Sequence, residues 1–205
     1  DQAVADITEA VTIDPKYAFG FGQRGQALFR KRLITKKGGW EPAIADYSEA
    51  IKLDPNLLWL YSSRGVAYSN NRQYDLAVPD CSEVIKREPK NSGGYNCRGV
   101  AYEGLKDYRR AIADYDQAIA INPKDFNAFN SRGKAYVAKG DSNRAIADFT
   151  QAIEFGPSYV EAYNNRGLSN EVLGRGAEAL ADFRKAQSID SADRLSKQQL
   201  RMLGF

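Results

Sequence analysis

The sequence predicts an all-α chain built from stacked antiparallel helix pairs. Three observations carry that reading. Pro55, Pro89, Pro123 and Pro157 stand 34 residues apart, and Ser191 falls one further step on. Gly65, Gly99, Gly133 and Gly167 keep the same step. Within each step, small and aromatic residues recur at helical spacing: Phe129, Gly133 and Tyr136, then Ala145, Phe149 and Ala152. Two such stripes, split by Gly140-Asp141 and closed by Pro157, read as two amphipathic helices joined by a tight turn. A fixed period of this size marks supersecondary units that bury their faces only by stacking.

Residues 1–17 form a half repeat. Ala3, Ile7, Ala10 and Pro15 match the second helix, and the first is missing, so the chain reads as starting mid-repeat. Val4, Ile7 and Val11 are then expected on a partly bare apolar face, one that a second copy would cover. Residues 18–57 form a full repeat with an insertion, because Pro15 to Pro55 is 40 residues, six more than the standard step. The extra residues lie in FRKRLITKKGGWEP. They are expected to extend the first helix to about Thr35, turn at Gly38-Gly39 and restart at Trp40 and Pro42. Arg30, Lys31, Arg32, Lys36 and Lys37 make this stretch basic. It reads either as a contact for an acidic partner or, more plainly, as a solvated helix end whose cations suit the C-terminal dipole.

Residues 58–91 are the next repeat. Pro79 falls inside its second helix and is expected to kink or shorten the helix start. Residues 92–125 open with Ser92-Gly93-Gly94, which should delay or soften the helix. Residues 126–159 are regular. Residues 160–193 carry Gly174 and Gly176 around the internal turn. Residues 194–205, with Leu195, Leu200, Met202 and Leu203 among polar neighbours, suit an amphipathic helix capping the stack. Glycine inside a helix costs about 1 kcal/mol relative to alanine. Gly25, Gly65, Gly99, Gly133 and Gly167 therefore imply close approach of the facing helix, expected at Ala43, Ala77, Ala111, Ala145 and Ala179.

The order aromatic, Gly, Tyr, Ala, aromatic, Ala, Pro resembles the tetratricopeptide repeat family. It reads Tyr95, Gly99, Tyr102, Ala111, Tyr115, Ala118 and Pro123 in one repeat, and Phe129, Gly133, Tyr136, Ala145, Phe149, Ala152 and Pro157 in the next. The resemblance covers almost the whole chain. It implies one right-handed superhelical solenoid of antiparallel helix pairs over residues 1–205. It also implies a non-catalytic scaffold that binds an extended peptide or partner protein in a concave groove.

In such a stack the first helices line the groove. The stripe opposite the glycines holds Asn127, Asn130 and Lys134 in the regular repeat. Equivalent positions hold Phe19, Gln26 and Phe29; Trp59, Ser62 and Val66; Asn96 and Val100; Asn164 and Leu168. Asn96, Asn130 and Asn164 fall in register, and an Asn amide can both donate to and accept from a peptide backbone. The plainer reading is that they face water. Some family members clamp the acidic tail of heat-shock chaperones with Lys and Asn at set groove positions. No repeat here carries that pair, so such a clamp is not expected.

A second register is charged. Arg24, Arg64, Arg98, Arg132 and Arg166 precede the repeat glycines, where the family usually has an apolar residue. Asp6, Asp46, Asp80, Asp114, Asp148 and Asp182 recur on the second helices. A packed charge needs a partner, since an unpaired one costs several kcal/mol. Pairing is expected between adjacent repeats, leaving Asp182 for Arg194 or Arg201. Pairing within a repeat is the close alternative.

Composition narrows the chemistry. There is no His, which removes His general-base catalysis and the commonest metal ligand. Cys81 and Cys97 cannot hold zinc alone. They lie on consecutive helices and read as packed thiols, with a disulfide conceivable. A net charge of +3 does not argue for nucleic acid or membrane, and no apolar run is long enough to span a bilayer. No metal, cofactor or enzymatic activity is expected, and RNA binding is disfavoured. The rival to groove binding is a structural module that self-associates through its N-terminal half repeat.

Overall fold

The computed structural model describes residues 2–204, so Asp1 and Phe205, the ends of the expected half repeat and capping helix, lie outside the described residues. Among the described residues the chain forms twelve α-helices and no strand. It divides into two compact units, residues 1–107 and 108–205. The first holds α1 (Gln2–Ile13), α2 (Ala18–Thr35), α3 (Glu41–Leu53), α4 (Leu58–Asn70), α5 (Tyr74–Arg87) and α6 (Ser92–Gly104). The second holds α7 (Tyr108–Ile121), α8 (Phe126–Ala138), α9 (Ser142–Phe155), α10 (Val160–Val172), α11 (Gly176–Ile189) and α12 (Arg194–Met202). Within each unit every helix packs on the next. In the first unit α2 also touches α4 and α4 touches α6; in the second, α8 touches α10. The first helices of successive repeats thus lie side by side.

Each repeat core is a buried ring seated on a glycine. Tyr47, Phe149 and Phe183 are buried on the second helices. A Cβ built on Gly25 would stand 2.9 Å from the Tyr47 ring, on Gly133 2.6 Å from Phe149, and on Gly167 2.7 Å from Phe183. The glycines therefore make room chiefly for a ring one turn beyond the expected alanine. The alanine backbone is a further neighbour at Gly25, where the Ala43 oxygen lies 3.2 Å from that point. Val11 is buried and Val4 and Ile7 are half-buried, so the face of α1 is less bare than expected, although Ile13 stays exposed.

One repeat replaces the ring with sulfur. Cys81 occupies the position of Tyr47 and Phe149, and it forms a disulfide with Cys97 across α5 and α6. Both sulfurs lie 2.9 Å from a Cβ built on Gly65. The expectation of two packed thiols is corrected: the missing ring leaves a space that a second sulfur from the next helix fills.

At two other helix starts the expected shortening and delay do not occur. Pro79 does not shorten its helix, since α5 keeps the 14 residues of α7, α9 and α11. The lost N–H removes one bond, while the flanking packing of Ala77, Asp80 and Cys81 is buried and intact. Ser92-Gly93-Gly94 does not delay α6. The Asn91 side chain caps it by accepting from the Gly94 N–H at 3.1 Å, which offsets the weak propensity.

The insertion folds as expected. α2 runs to Thr35 and ends on Lys36 in the left-handed conformation, φ 57°. Trp40 then turns back onto α2, its ring 4.9 Å from Phe29 and 5.1 Å from the Arg32 guanidinium. At the other end α12 is capped by Asp193, whose side chain accepts from the Ser196 N–H at 2.8 Å. Leu200 packs against Ala179 and Phe183, whereas Met202 is exposed.

Candidate interaction surface

The charged register is structural, and it pairs within repeats. Arg24 grips Asp46 through Nε and Nη2 at 2.8 and 2.7 Å. Arg64 holds Asp80 at 2.8 Å through the same two nitrogens. Arg132 holds Asp148 at 2.8 and 2.6 Å, and Arg166 takes Asp182 at 3.0 and 2.7 Å. The expected pairing between repeats, including Asp182 with the terminal helix, is therefore corrected. Asp6 is exposed and accepts from Gln2 instead of Arg24. The geometry explains the choice. A planar fork aimed at one carboxylate satisfies two donors at once.

The third nitrogen does reach the preceding repeat, to the residue two beyond its Asp. Arg64 Nη1 donates to Ser48 Oγ at 3.1 Å and Arg98 Nη1 to Ser82 Oγ at 3.3 Å. Arg132 Nη1 donates to Asp116 at 2.6 Å and Arg166 Nη1 to Thr150 at 3.1 Å. Hydrogen bonds donated to their own Asp raise Arg24, Arg64 and Arg132 above the ordinary guanidinium value, against the opposing pull of burial. An aromatic ring lies beside each guanidinium, as at Arg132 over Phe129, 5.6 Å. These arginines are spent on the fold.

The outward face of the first helices differs between the units. In the first unit it is recessed. One cavity of about 350 Å³ lies between α2 and α4, lined by Gln26, Phe29, Arg30, Leu33, Ser62, Ser63 and Val66 over Tyr47. Burial pushes the Tyr47 hydroxyl up to about 12, with the Ser63 hydrogen bond pulling the other way, so it stays protonated. A second cavity of about 330 Å³ lies between α4 and α6. It shares Ser62 and Val66 with the first and adds Ser69, Asn70, Asn91, Asn96 and Val100. Two polar atoms of its lining, Ser69 Oγ and Asn96 Oδ1, are buried without a hydrogen-bond partner. Beside these recesses Phe19 and Trp59 meet edge to face at 6.1 Å. Trp59 lies where a Cβ on Gly22 would fall.

In the second unit the same positions are closed by their own hydrogen bonds. Asn130 is 2 % exposed and Asn164 4 %, so neither offers an open amide, nor does it face water. Asn130 Nδ2 donates to Tyr159 Oη at 3.2 Å and to Glu161 at 3.3 Å, and Asn130 Oδ1 accepts from Asn165 at 3.0 Å. Asn164 Nδ2 donates to Asp193 at 2.9 Å, and its Oδ1 is buried without a hydrogen-bond partner. Lys134 lies 3.5 Å from Glu161. Leu168 packs toward Phe183 and Leu200. On α8, Asn127, Lys134 and Val137 remain exposed. A separate recess of about 420 Å³ between α9, α10 and α11 is lined by Arg166, Arg175, Glu178 and Asp182, whose charges balance.

Sequence profiles of the tetratricopeptide repeat match residues 33–71, 60–91, 93–125 and 130–194. The chain belongs to the tetratricopeptide repeat family. Among solved structures with the same fold is a thermophilic tetratricopeptide repeat protein of Thermus thermophilus, 19% identical, with a TM-score of 0.77 over 90% of this chain and 97% of that one. YrrB, described as a tetratricopeptide repeat protein with an unusual peptide-binding site, is 20% identical, with a TM-score of 0.63 over 95% of this chain and 97% of its own. MamA is 25% identical, with a TM-score of 0.64 over 74% of this chain and 88% of its own. No curated protein matches the sequence. Tetratricopeptide repeat proteins generally serve as protein–protein interaction scaffolds, and this chain is a scaffold of that kind. Among the described residues no helix is long and apolar enough to cross a membrane.

Among the residues lining the recessed face, Arg30, Leu33, Ser63, Asn70 and Asn91 escape a reading based on the repeat stripe alone. Leu33 belongs to the extension of α2, so no regular repeat supplies its equivalent. The signal was present in the sequence as a six-residue excess of basic and apolar character.

Proposed function

We propose that this chain is a non-catalytic scaffold whose first unit binds an extended peptide segment of a partner protein across the outward face of α2, α4 and α6. The observation that carries the reading is the pair of adjoining cavities sharing Ser62 and Val66. Gln26, Phe29, Ser62, Val66, Asn96 and Val100, all on the expected groove stripe, line them. A recess of this kind offers apolar contact and a few polar groups, the usual make-up of a peptide site. Buried polar atoms without partners favour a ligand that carries hydrogen-bonding groups, as a peptide backbone does. The peptide-binding site named for YrrB, a protein of the same fold, is consistent with this use.

The test is affinity capture with the full chain beside a Val66→Asp variant. Val66 is exposed, so the change leaves the core untouched. Partners recovered by the parent are expected to be lost by the variant. Equal recovery by both would contradict the proposal. For the self-association reading, Val11 is already buried within the chain, whereas Val4 and Ile7 are half-buried and Ile13 is exposed.

A further inference from the structure

The first repeat gives this surface a charge preference. α2 spans 18 residues against 13 in α4, α6, α8 and α10. Its sequence, AFGFGQRGQALFRKRLIT, contains no acidic residue. Arg24 is neutralised by Asp46, and the Arg32 guanidinium lies over Trp40. Arg30 and Leu33 turn toward the recess between α2 and α4 and form one wall of it. No carboxylate lines that recess, nor the adjoining one. Among the described residues Arg30 has no ion-pair partner within reach, and Lys36 and Lys37 follow at the helix end. Leu33 and the next residue, Ile34, are exposed, Ile34 by 81 %.

We propose that this recess selects an extended peptide segment in which an Asp or Glu side chain stands beside a large aliphatic or aromatic one. This rests on the peptide-binding reading above and deepens it. The carboxylate meets Arg30, and the apolar side chain enters between Phe29, Leu33 and Val66. The segment continues into the recess between α4 and α6, where a backbone N–H reaches Asn96 Oδ1 and a backbone group reaches Ser69 Oγ. Arg30 stands where α4 has Asn70, at the end of the regular helix length, whereas Leu33 comes from the extension of α2. A charge-assisted bond at a partly enclosed site gives orientation as well as affinity.

The experiment is a selection of random octapeptides displayed on phage against the full chain. Recovered sequences are then synthesised with blocked ends and titrated against the parent, Arg30→Gln, Leu33→Ser, Val66→Asp and Lys139→Gln. Recovered peptides are expected to carry Asp or Glu within two residues of Leu, Ile, Met or Phe. Arg30→Gln is expected to weaken them about tenfold, the scale of one charge-assisted hydrogen bond. Replacing the peptide Glu by Gln is expected to cost the parent the same factor and to cost Arg30→Gln nothing. Lys139→Gln, an exposed charge in the other unit, is expected to change nothing. Binding that is lost in Val66→Asp but indifferent to Arg30→Gln and to the peptide Glu would overturn this inference and leave the peptide-binding reading standing. Binding that needs a free C-terminal carboxylate would overturn it too, since the acid would then be a chain end. Recovery of no octapeptide would overturn both.

Discussion

At the scale of single residues, the fold spends its charge on holding neighbours together. Arg64, Arg132 and Arg166 each hold an aspartate of their own repeat through Nε and Nη2 and reach the repeat before through Nη1. Arg132 is the fullest case, with Asp148 on one side and Asp116 on the other. Removing one partner of a buried pair leaves an uncompensated charge, which costs more than the pair itself contributes. Asp148→Asn is expected to lower the stability of the second unit by about 2–3 kcal/mol, read from denaturant unfolding. A loss within experimental error would show that Asp116 alone satisfies Arg132. The register of these residues was legible in the sequence, because a period of 34 exposes any residue that recurs with it. Their pairing was not. Spacings of 16 and 18 are too alike to separate without knowing where each helix faces its neighbour.

At the scale of elements, caps and crosslinks decide what propensity leaves open. Asn91 rescues the glycine-rich start of α6, and Asp193 opens α12. Burial pushes the Asp193 carboxyl up, but bonds from the Ser196 N–H, the Asn164 amide and the Ser196 side chain outweigh it and hold it below the ordinary value. A carboxylate depressed by folding stabilises above its unfolded value of about 3.9, and that contribution is lost as pH falls through the folded value. α12 is expected to undock in acid before the rest of its unit, seen as early loss of protection at Leu200 in amide exchange as pH falls below about 3.9. Asp193→Asn is expected to abolish that acid step. A step unchanged by the substitution would place the titrating group elsewhere.

The disulfide acts at the same scale. It closes a separation of 16 residues between α5 and α6. Constraint of a loop that size in the unfolded chain is worth about 3 kcal/mol. Reduction, or Cys81→Ala with Cys97→Ala, is expected to lower the denaturant midpoint of the first unit and leave the second unchanged. An unchanged first unit would contradict the role given to the bond. The sequence placed both cysteines on consecutive helices but could not show that Cys81 had displaced a ring, since the consequence depends on the space beside Gly65. The same limit applies to Asn130 and Asn164. Their register was visible, whereas their burial follows from Tyr159, Glu161, Asn165 and Asp193, residues 29 to 35 positions away.

At the scale of the whole molecule, the two units share a repeat and differ in what they leave open. In the second, Asn130 on α8 and Asn164 on α10 are buried and bonded within the unit. The first keeps recesses between α2, α4 and α6; Arg30 lines the one between α2 and α4, and the extension of α2 adds Leu33 to it. The helix order, the insertion and the stripe of Gln26, Phe29, Ser62 and Val66 were all readable from period alone. The contrast between the units was not, because it arises from side chains meeting across repeats. The measurement that tests the central claim most directly is backbone amide shift mapping of the full chain, titrated with a peptide from the octapeptide selection. The account expects shifts concentrated at Gln26, Phe29, Val66, Asn96 and Val100, with those of α8 and α10 unmoved. Shifts confined to α3 and α5, or to the second unit, would contradict it.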